Sequence, residues 1–319
     1  MAERIKIMAP TRSFDMTKLQ IQAGADEVYL GLTNDKYVTF SFNGRFQVMN
    51  SVSVQVDGYE DLEDIVAECG KNNVKVSFTA NAHYIAPALE DEYLEYIKKG
   101  IEAGADYLIV SNMGLIKLIR KKGITIPIVA GTFMVIPNAE HIKMLRDLGV
   151  QRVVLPHAAT LEELKSLTKI DGMEIEVFCF MGGGNNCGRC MLLHSPVISD
   201  ISAGCRAAYS VEAGREKKER EFFLDAAADC ALCSIPGLIE AGVNVLKIVG
   251  RESPNPTVNS KIVGLFKRFV DGYYAGETTA QIRQELSETE MLWNVMWTPR
   301  FCDNQRCKFQ KTMVVKSYI

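Results

Sequence analysis

What this chain lacks narrows it first. No apolar run reaches the ~18 to 20 residues that cross a bilayer, and the start, "MAERIKIMAP", has no apolar signal core. A cytoplasmic protein without a membrane span is therefore expected. An excess of cations is missing too: the net charge is −3, which argues against a surface built to neutralise many phosphates. Neither H-E-x-x-H nor G-x-S-x-G occurs, and there are only four histidines, His83, His141, His157 and His194. The usual metalloprotease and serine hydrolase signatures are thus absent. His141 reads as a helix-surface residue. The first half of the chain holds a single cysteine, Cys69, and the other eight lie between Cys179 and Cys307. Thiols in a cytosolic chain stay reduced, so these eight are not read as a disulfide framework.

What is present is an ordinary globular composition, 47% hydrophobic and 24% charged over 319 residues, enough for one large core. A phrase recurs: "QAGADEVYLG" (22–31), "EAGADYLIVS" (102–111), "DLGVQRVVLP" (147–156) and "EAGVNVLKIVG" (240–250). Each reads as a helix end, a glycine able to take the left-handed cap, then a short apolar strand. The strands lack polar alternation, as parallel strands covered on both faces do. "IKIMAP", "VKVSFTAN", "IPIVAGT" and "EIEVFCF" supply four more. Helical stretches such as "YEDLEDIVAECGK" and "NAEHIKMLRDLG" lie between them. Eight strands alternating with helices give an α/β class and a TIM-like (β/α)8 barrel over residues 1–275. No glycine fingerprint at a first strand–helix turn favours an open doubly wound sheet.

In such barrels the chemistry sits where strands end. The residues at those ends are Pro10, Gly31, Asn81, Ser111, Asn112, Thr132, His157 and Arg251. Asn81 and Thr132 are candidates to orient substrate by hydrogen bonding. His157 is a candidate acid–base group, its ordinary pKa lying near neutrality. Tyr29 and Phe133 would be apolar walls or core. Residues 32–57 are too long for a simple loop and read as a lid or substrate wall. They carry Arg45, which with Arg251 could clamp a carboxylate bidentately. A second insertion, about 181–235, lies between strands seven and eight. Residues 276–319 form a C-terminal extension, with Trp293 and Trp297 expected to pin it to the barrel.

The second insertion carries "CGRC" (Cys187, Cys190), Cys205 and "CALC" (Cys230, Cys233). Thiolates are soft ligands for zinc, copper(I) or iron–sulfur clusters. The two C-x2-C pairs stand further apart than in the usual zinc knuckles, which weakens zinc without excluding it. A cubane gathers four thiolates from a longer stretch, and amides near "GGG" could donate to its sulfides. A catalytic cysteine with His157 or His194 as base is a further alternative.

The chain resembles the peptidase U32 family, collagenase-like proteins that include the anaerobic ubiquinone-hydroxylation pair and enzymes hydroxylating RNA pyrimidines. The resemblance runs from about residue 5 to 275. It is carried by "APTRSFDMTKLQIQAGADEVYLG", "LGVQRVVLP", "CGRC", "AGC" at 203–205 and "IPGLIEAGVNVLKIVGR". It implies a TIM-like fold, a [4Fe–4S] cluster on four cysteines, and oxygen-independent hydroxylation, with prephenate as oxygen donor in some members. Cys190, Cys205 and Cys230 match three family ligand positions. At the fourth this chain has Gly183, and Cys187 is taken to replace it, with Cys179 and Cys233 in reserve.

The expectation is an iron–sulfur hydroxylase or oxidoreductase acting on a small aromatic or quinone-like substrate. RNA-base hydroxylation is one alternative, and a collagenase-like peptidase or zinc-stabilised binding protein is another. The small substrate is preferred because the chain lacks the large extra domain of the RNA-modifying members and any basic excess. A heterodimer or homo-oligomer partner is allowed for. Cys302 and Cys307 read as free thiols, with completion of the cluster or a second metal as the other choices.

Overall fold

The computed structural model describes residues 3–33, 42, 48–49, 52–82, 84–180, 209–214, 216–221 and 229–309. Arg45, Cys187, Cys190 and Cys205 lie outside the described residues, as do His83 and His194.

Eight parallel strands close into a barrel: β1 (Lys6–Pro10), β2 (Glu27–Leu30), β3 (Lys75–Ala80), β4 (Tyr107–Val110), β5 (Ile128–Ala130), β6 (Val150–Val154), β7 (Glu174–Phe180) and β8 (Val245–Ile248). Each strand neighbours the next in sequence, and β8 pairs back onto β1. All eight coincide with the apolar runs of the sequence. Helices return the chain between strands and cover the outside: α1 (Phe14–Gln22), α2 (Tyr59–Lys71), α3 (Glu90–Glu102), α4 (Met113–Lys121), α5 (Ala139–Asp147), α6 (Leu161–Leu167), α7 (Ile235–Glu240) and α8 (Pro256–Tyr274). Their starts are written locally. Asn112, Asn138 and Asn255 cap α4, α5 and α8 through side-chain oxygens, and Thr160 with Glu163 closes a capping box on α6.

Because side chains alternate along a strand, each strand shows one set to the helices and the other to the barrel interior. Val28 and Leu30, Val76 and Phe78, and Ile175 and Val177 join the large outer core. Met8, Tyr29, Ile109, Val129, Val154, Phe178, Val245 and Val249 form a second, inner cluster. The same inward register places Glu27, Ser77, Arg152, Glu176 and Lys247 inside the barrel, all buried.

Two excursions return to the C-terminal end of the strands. Leu32 bridges Val56, and Phe42 packs edge-on against Tyr93 and Tyr96 at 5.5 and 5.7 Å. The described parts of residues 32–57 are therefore tied to the barrel at both ends. Beyond α8, helix α9 (Thr279–Thr289) and a π-helical stretch, Trp293–Cys302, pack back on the barrel. Trp297 stacks on Phe180, the last residue of β7, at 5.2 Å, and Trp293 lies 6.2 Å from Phe269 of α8. The tryptophans do pin the extension. Among the described residues no helix is long and apolar enough to cross a membrane.

Candidate active site

A column of charge rises through the barrel. At the N-terminal end Arg152 has no exposed surface. Its Nη1 donates to both Glu27 oxygens at 3.0 and 2.9 Å and to Glu176 at 3.3 Å, and its Nε donates to Glu174 at 2.7 Å. The carboxylates hold the guanidinium protonated against desolvation, pushing its pKa up despite burial. One layer higher, Lys247 pairs with the other Glu176 oxygen at 2.7 Å. TIM barrels ordinarily fill this space with branched apolar side chains. The charge pairs here make the floor of the mouth polar and positively headed.

That floor leads to the predicted residues. The Lys247 ammonium stands 4.5 Å from the Tyr29 ring centre and 5.7 Å from that of Phe178. The Arg251 guanidinium lies 5.4 Å from the same Tyr29 ring, and its Nη1 donates to Gln55 at 3.3 Å. Tyr29 donates its hydroxyl to the Ile248 carbonyl at 3.1 Å, which fixes the ring between the two cations. Cations over aromatic faces are favoured by the ring quadrupole, more so when desolvated. Arg12 donates to the Arg251 carbonyl and, at 2.8 Å, to that of Ser253, holding the loop that carries Arg251.

Across the ring of strands, the Ser111 hydroxyl donates to Asn81 Oδ1. Gly131 faces this pair: a Cβ there would sit 2.5 Å from both oxygens. Only glycine at 131 leaves the Asn81–Ser111 pair in place, directly before Thr132, which opens a short 3-10 turn. His157, just beyond β6, stacks on Phe178 at 4.2 Å, and its Nδ1 lies 3.3 Å from Lys308 Nζ. With the ammonium donating, Nδ1 accepts and the imidazole proton resides on Nε2. Burial brings the Lys308 ammonium down to about 8.

The structure thus joins Tyr29 to Arg251 and sets His157 on the inner cluster. Asn81 follows β3, which pairs with the Tyr29 strand β2, and Thr132 follows β5, which pairs with β6. Glu27, Arg152, Glu176, Lys247 and Lys308 were not picked out by sequence reasoning. For Glu176, Arg152 and Lys247 a signal existed. Glu174, Glu176 and Phe178 alternate in "EIEVF", and a lone charge interrupts the apolar runs "QRVVL" and "VLKIV". Lys308 had none, because its place depends on a tertiary turn of the tail.

Of the four expected cluster ligands only Cys230 is described. Its thiol is buried, and the Leu232 amide donates to its sulfur at 3.4 Å. Amide donors to sulfur are what tune thiolate-bound clusters. Soft donor chemistry, burial and an amide donor fit this residue to the group. Burial pushes the thiol up, so metal rather than solvent would have to stabilise its thiolate. Cys230 does not stand alone. Its backbone pairs with Cys307, and the Ala231 amide donates to the Cys179 carbonyl at 2.9 Å. The described cysteines form no disulfide. Among the described residues no three His, Cys, Asp or Glu side chains are gathered as a single ion requires.

A closed parallel barrel with an aromatic–cation floor and thiols beside the mouth defines a barrel protein of the enzyme type, its candidate site at the strand C-termini. The chain belongs to peptidase family U32, whose sequence profile matches residues 12–308. It is 26% identical over 265 residues to the 23S rRNA 5-hydroxycytidine C2501 synthase of Escherichia coli, covering 78% of this chain and 37% of that protein. It is 24% identical over 300 residues to tRNA hydroxylation protein P1 of Bacillus subtilis, covering 89% of this chain and 67% of that one. A collagenase of Porphyromonas gingivalis is 24% identical over 298 residues, with 85% and 66% covered. Among solved structures, an octameric Rubisco from Pyrococcus horikoshii overlays with a TM-score of 0.50 at 11% identity, covering 89% of this chain and 62% of that one. That likeness concerns the fold alone. The chain spans from about a third to two thirds of the length of these curated relatives. The sequence preference for a small substrate over RNA is not what these relatives favour.

Proposed function

We propose that this chain is an oxygen-independent hydroxylase of RNA bases, and that the barrel mouth receives the base. The observation that carries the reading is the extent of the likeness to the tRNA hydroxylation protein: 300 residues, 89% of this chain. The family profile runs from residue 12 to 308, through the barrel and into the tail, so the family likeness is not that of one motif. The lack of basic excess, which argued for a small molecule, bears on phosphate contacts along a duplex. It says little about an enzyme that takes one unstacked base into a pocket.

Hydroxylation of a ring carbon replaces C–H by C–OH and removes two electrons from the base, so the reaction needs a two-electron acceptor; we assign that role to an organic oxygen donor that gives up its oxygen and is itself reduced. Arg251, with Arg45, would hold a carboxylate of that donor. His157, backed by Phe178, offers an aromatic face to a base, and Asn81 and Thr132 offer hydrogen bonds to its edge. His157 Nε2 is the group suited to pass a proton. Cys187, Cys190, Cys205 and Cys230 would hold a [4Fe–4S] cluster, which supplies one-electron redox chemistry when bound.

The test is nucleoside mass spectrometry of tRNA and rRNA from cells with and without the gene. A pyrimidine nucleoside one oxygen atom heavier should vanish on deletion and return with the wild-type gene. Arg251→Met should restore it poorly. Identical nucleoside profiles in the deleted and parental strains would remove the reading.

A further inference from the structure

Two cysteine pairs far apart in sequence meet beside the barrel. Cys233 follows Cys230 in "CALC", which leads into α7, and Cys302 and Cys307 bracket the turn after the π-helical stretch. The backbone fastens the two segments together. Cys230 N donates to Arg306 O at 3.0 Å, Lys308 N to Cys230 O at 2.9 Å, and Ser234 Oγ to Lys308 O at 2.8 Å. Between them lies a cavity of about 390 Å³ lined by Cys233, Thr279, Ala280, Arg283, Cys302 and Cys307. Half of its lining residues are cysteines, and none of these is in a disulfide.

The charge around the cavity suits an anionic group held by thiolates. Burial pushes the Cys233 and Cys302 thiols up, and the Arg283 guanidinium lining the same cavity opposes that rise. Thr279 and Ala280 are the first two residues of α9, whose capped N-terminus presents the positive end of the helix dipole. Size separates the candidates for the occupant. A tetrahedral zinc with Zn–S bonds of about 2.3 Å draws its sulfurs to about 3.8 Å of one another. The thiols are not gathered that tightly among the described residues. The three line one cavity of about 390 Å³, room for a cluster that brings its own sulfides.

We propose that Cys233, Cys302 and Cys307 hold an iron–sulfur cluster of their own, with one iron left without a cysteine ligand, seated in this cavity against Arg283 and the start of α9. The three ligands are separate from the set assigned to the hydroxylation site. Cys230, buried and three residues before Cys233, belongs to that other set.

The experiment is iron and acid-labile sulfide analysis, with native mass spectrometry, on the full chain purified and reconstituted without air. The wild type is compared with Cys302→Ser/Cys307→Ser and with Cys187→Ser/Cys190→Ser. The expected result is about eight irons in the wild type, falling by half in each double variant. One cluster that disappears from the Cys302/Cys307 variant and survives in the Cys187/Cys190 variant also supports this proposal, while removing the cluster of the hydroxylation site. Iron and sulfide unchanged in the Cys302/Cys307 variant overturns it. So does loss of one zinc in place of iron, or a single cluster abolished by either pair. The wild-type native mass guards against misfolding of the variants: a chain carrying no cluster at all overturns the proposal without them.

Discussion

A guanidinium with no solvent contact is tolerated only where opposite charge surrounds it, and Arg152 is such a residue. Replacing it with methionine leaves Glu27 buried with its cation gone, because Lys247 reaches only Glu176. Breaking a buried pair from one side costs about 3–5 kcal/mol, so Arg152→Met should lose about that much in urea unfolding. Arg152→Met combined with Glu27→Gln should recover part of it. A loss near zero in the single variant would mean the column is not holding the barrel. These charges were legible only as oddities, single ionic residues inside apolar runs. Periodicity says that such a residue faces one side of a strand but not that a partner waits there. A quieter residue gives a pH test. Burial pushes the Cys69 thiol up to about 12, whereas in the unfolded chain it titrates near 8.5. Below pH ~8.5 both states keep the proton and the contribution is full. As pH rises toward 12 the unfolded chain releases its proton first and stability falls. Cys69→Ala should therefore lose less of its urea midpoint between pH 7 and pH 10 than the wild type.

At the scale of elements, the strands were readable because two-sided burial demands continuous apolar runs, and the helices because caps and glycines punctuate them. The tail was not. Its π-helical turn and its thiol contacts come from Trp297 finding Phe180, Phe266 and Phe301, at 5.2, 6.4 and 4.8 Å. No local pattern specifies that meeting. Deleting the indole should show the dependence. Trp297→Ala is expected to cost about 3–5 kcal/mol, the usual range for a buried aromatic. It should also open the 303–309 turn to proteolysis before the barrel unfolds, visible as an early C-terminal cleavage product. Strand ends give a contrasting case. Gly131→Ala places a methyl against Asn81 and Ser111, and overpacking of this kind costs about 1–3 kcal/mol. If that pair orients a base, hydroxylation should fall further than the melting temperature implies. Activity that tracks stability alone would make the Asn81–Ser111 pair structural.

At the scale of the whole molecule, a net charge of −3 must be reconciled with RNA as the proposed substrate. Among the described residues the cations placed at the mouth are few. Lys247 is already paired with Glu176, Arg251 is held by Gln55, and Lys308 lies against His157. A protein that grips RNA through many phosphates shows affinity falling steeply with salt, by about 0.7 in log K per log salt for each single-strand phosphate contact. An enzyme that recognises an unstacked base by stacking and edge contacts releases few counterions. Titration of the RNA substrate against this protein over a range of potassium chloride should give a slope of about −2 or shallower. Replacing Phe178 with alanine should weaken binding at every salt concentration while leaving the slope unchanged, because stacking releases no ions. A slope near −6 would instead place the main contacts on the RNA backbone. The base pocket would then be secondary to a basic surface, and the barrel mouth would no longer account for recognition.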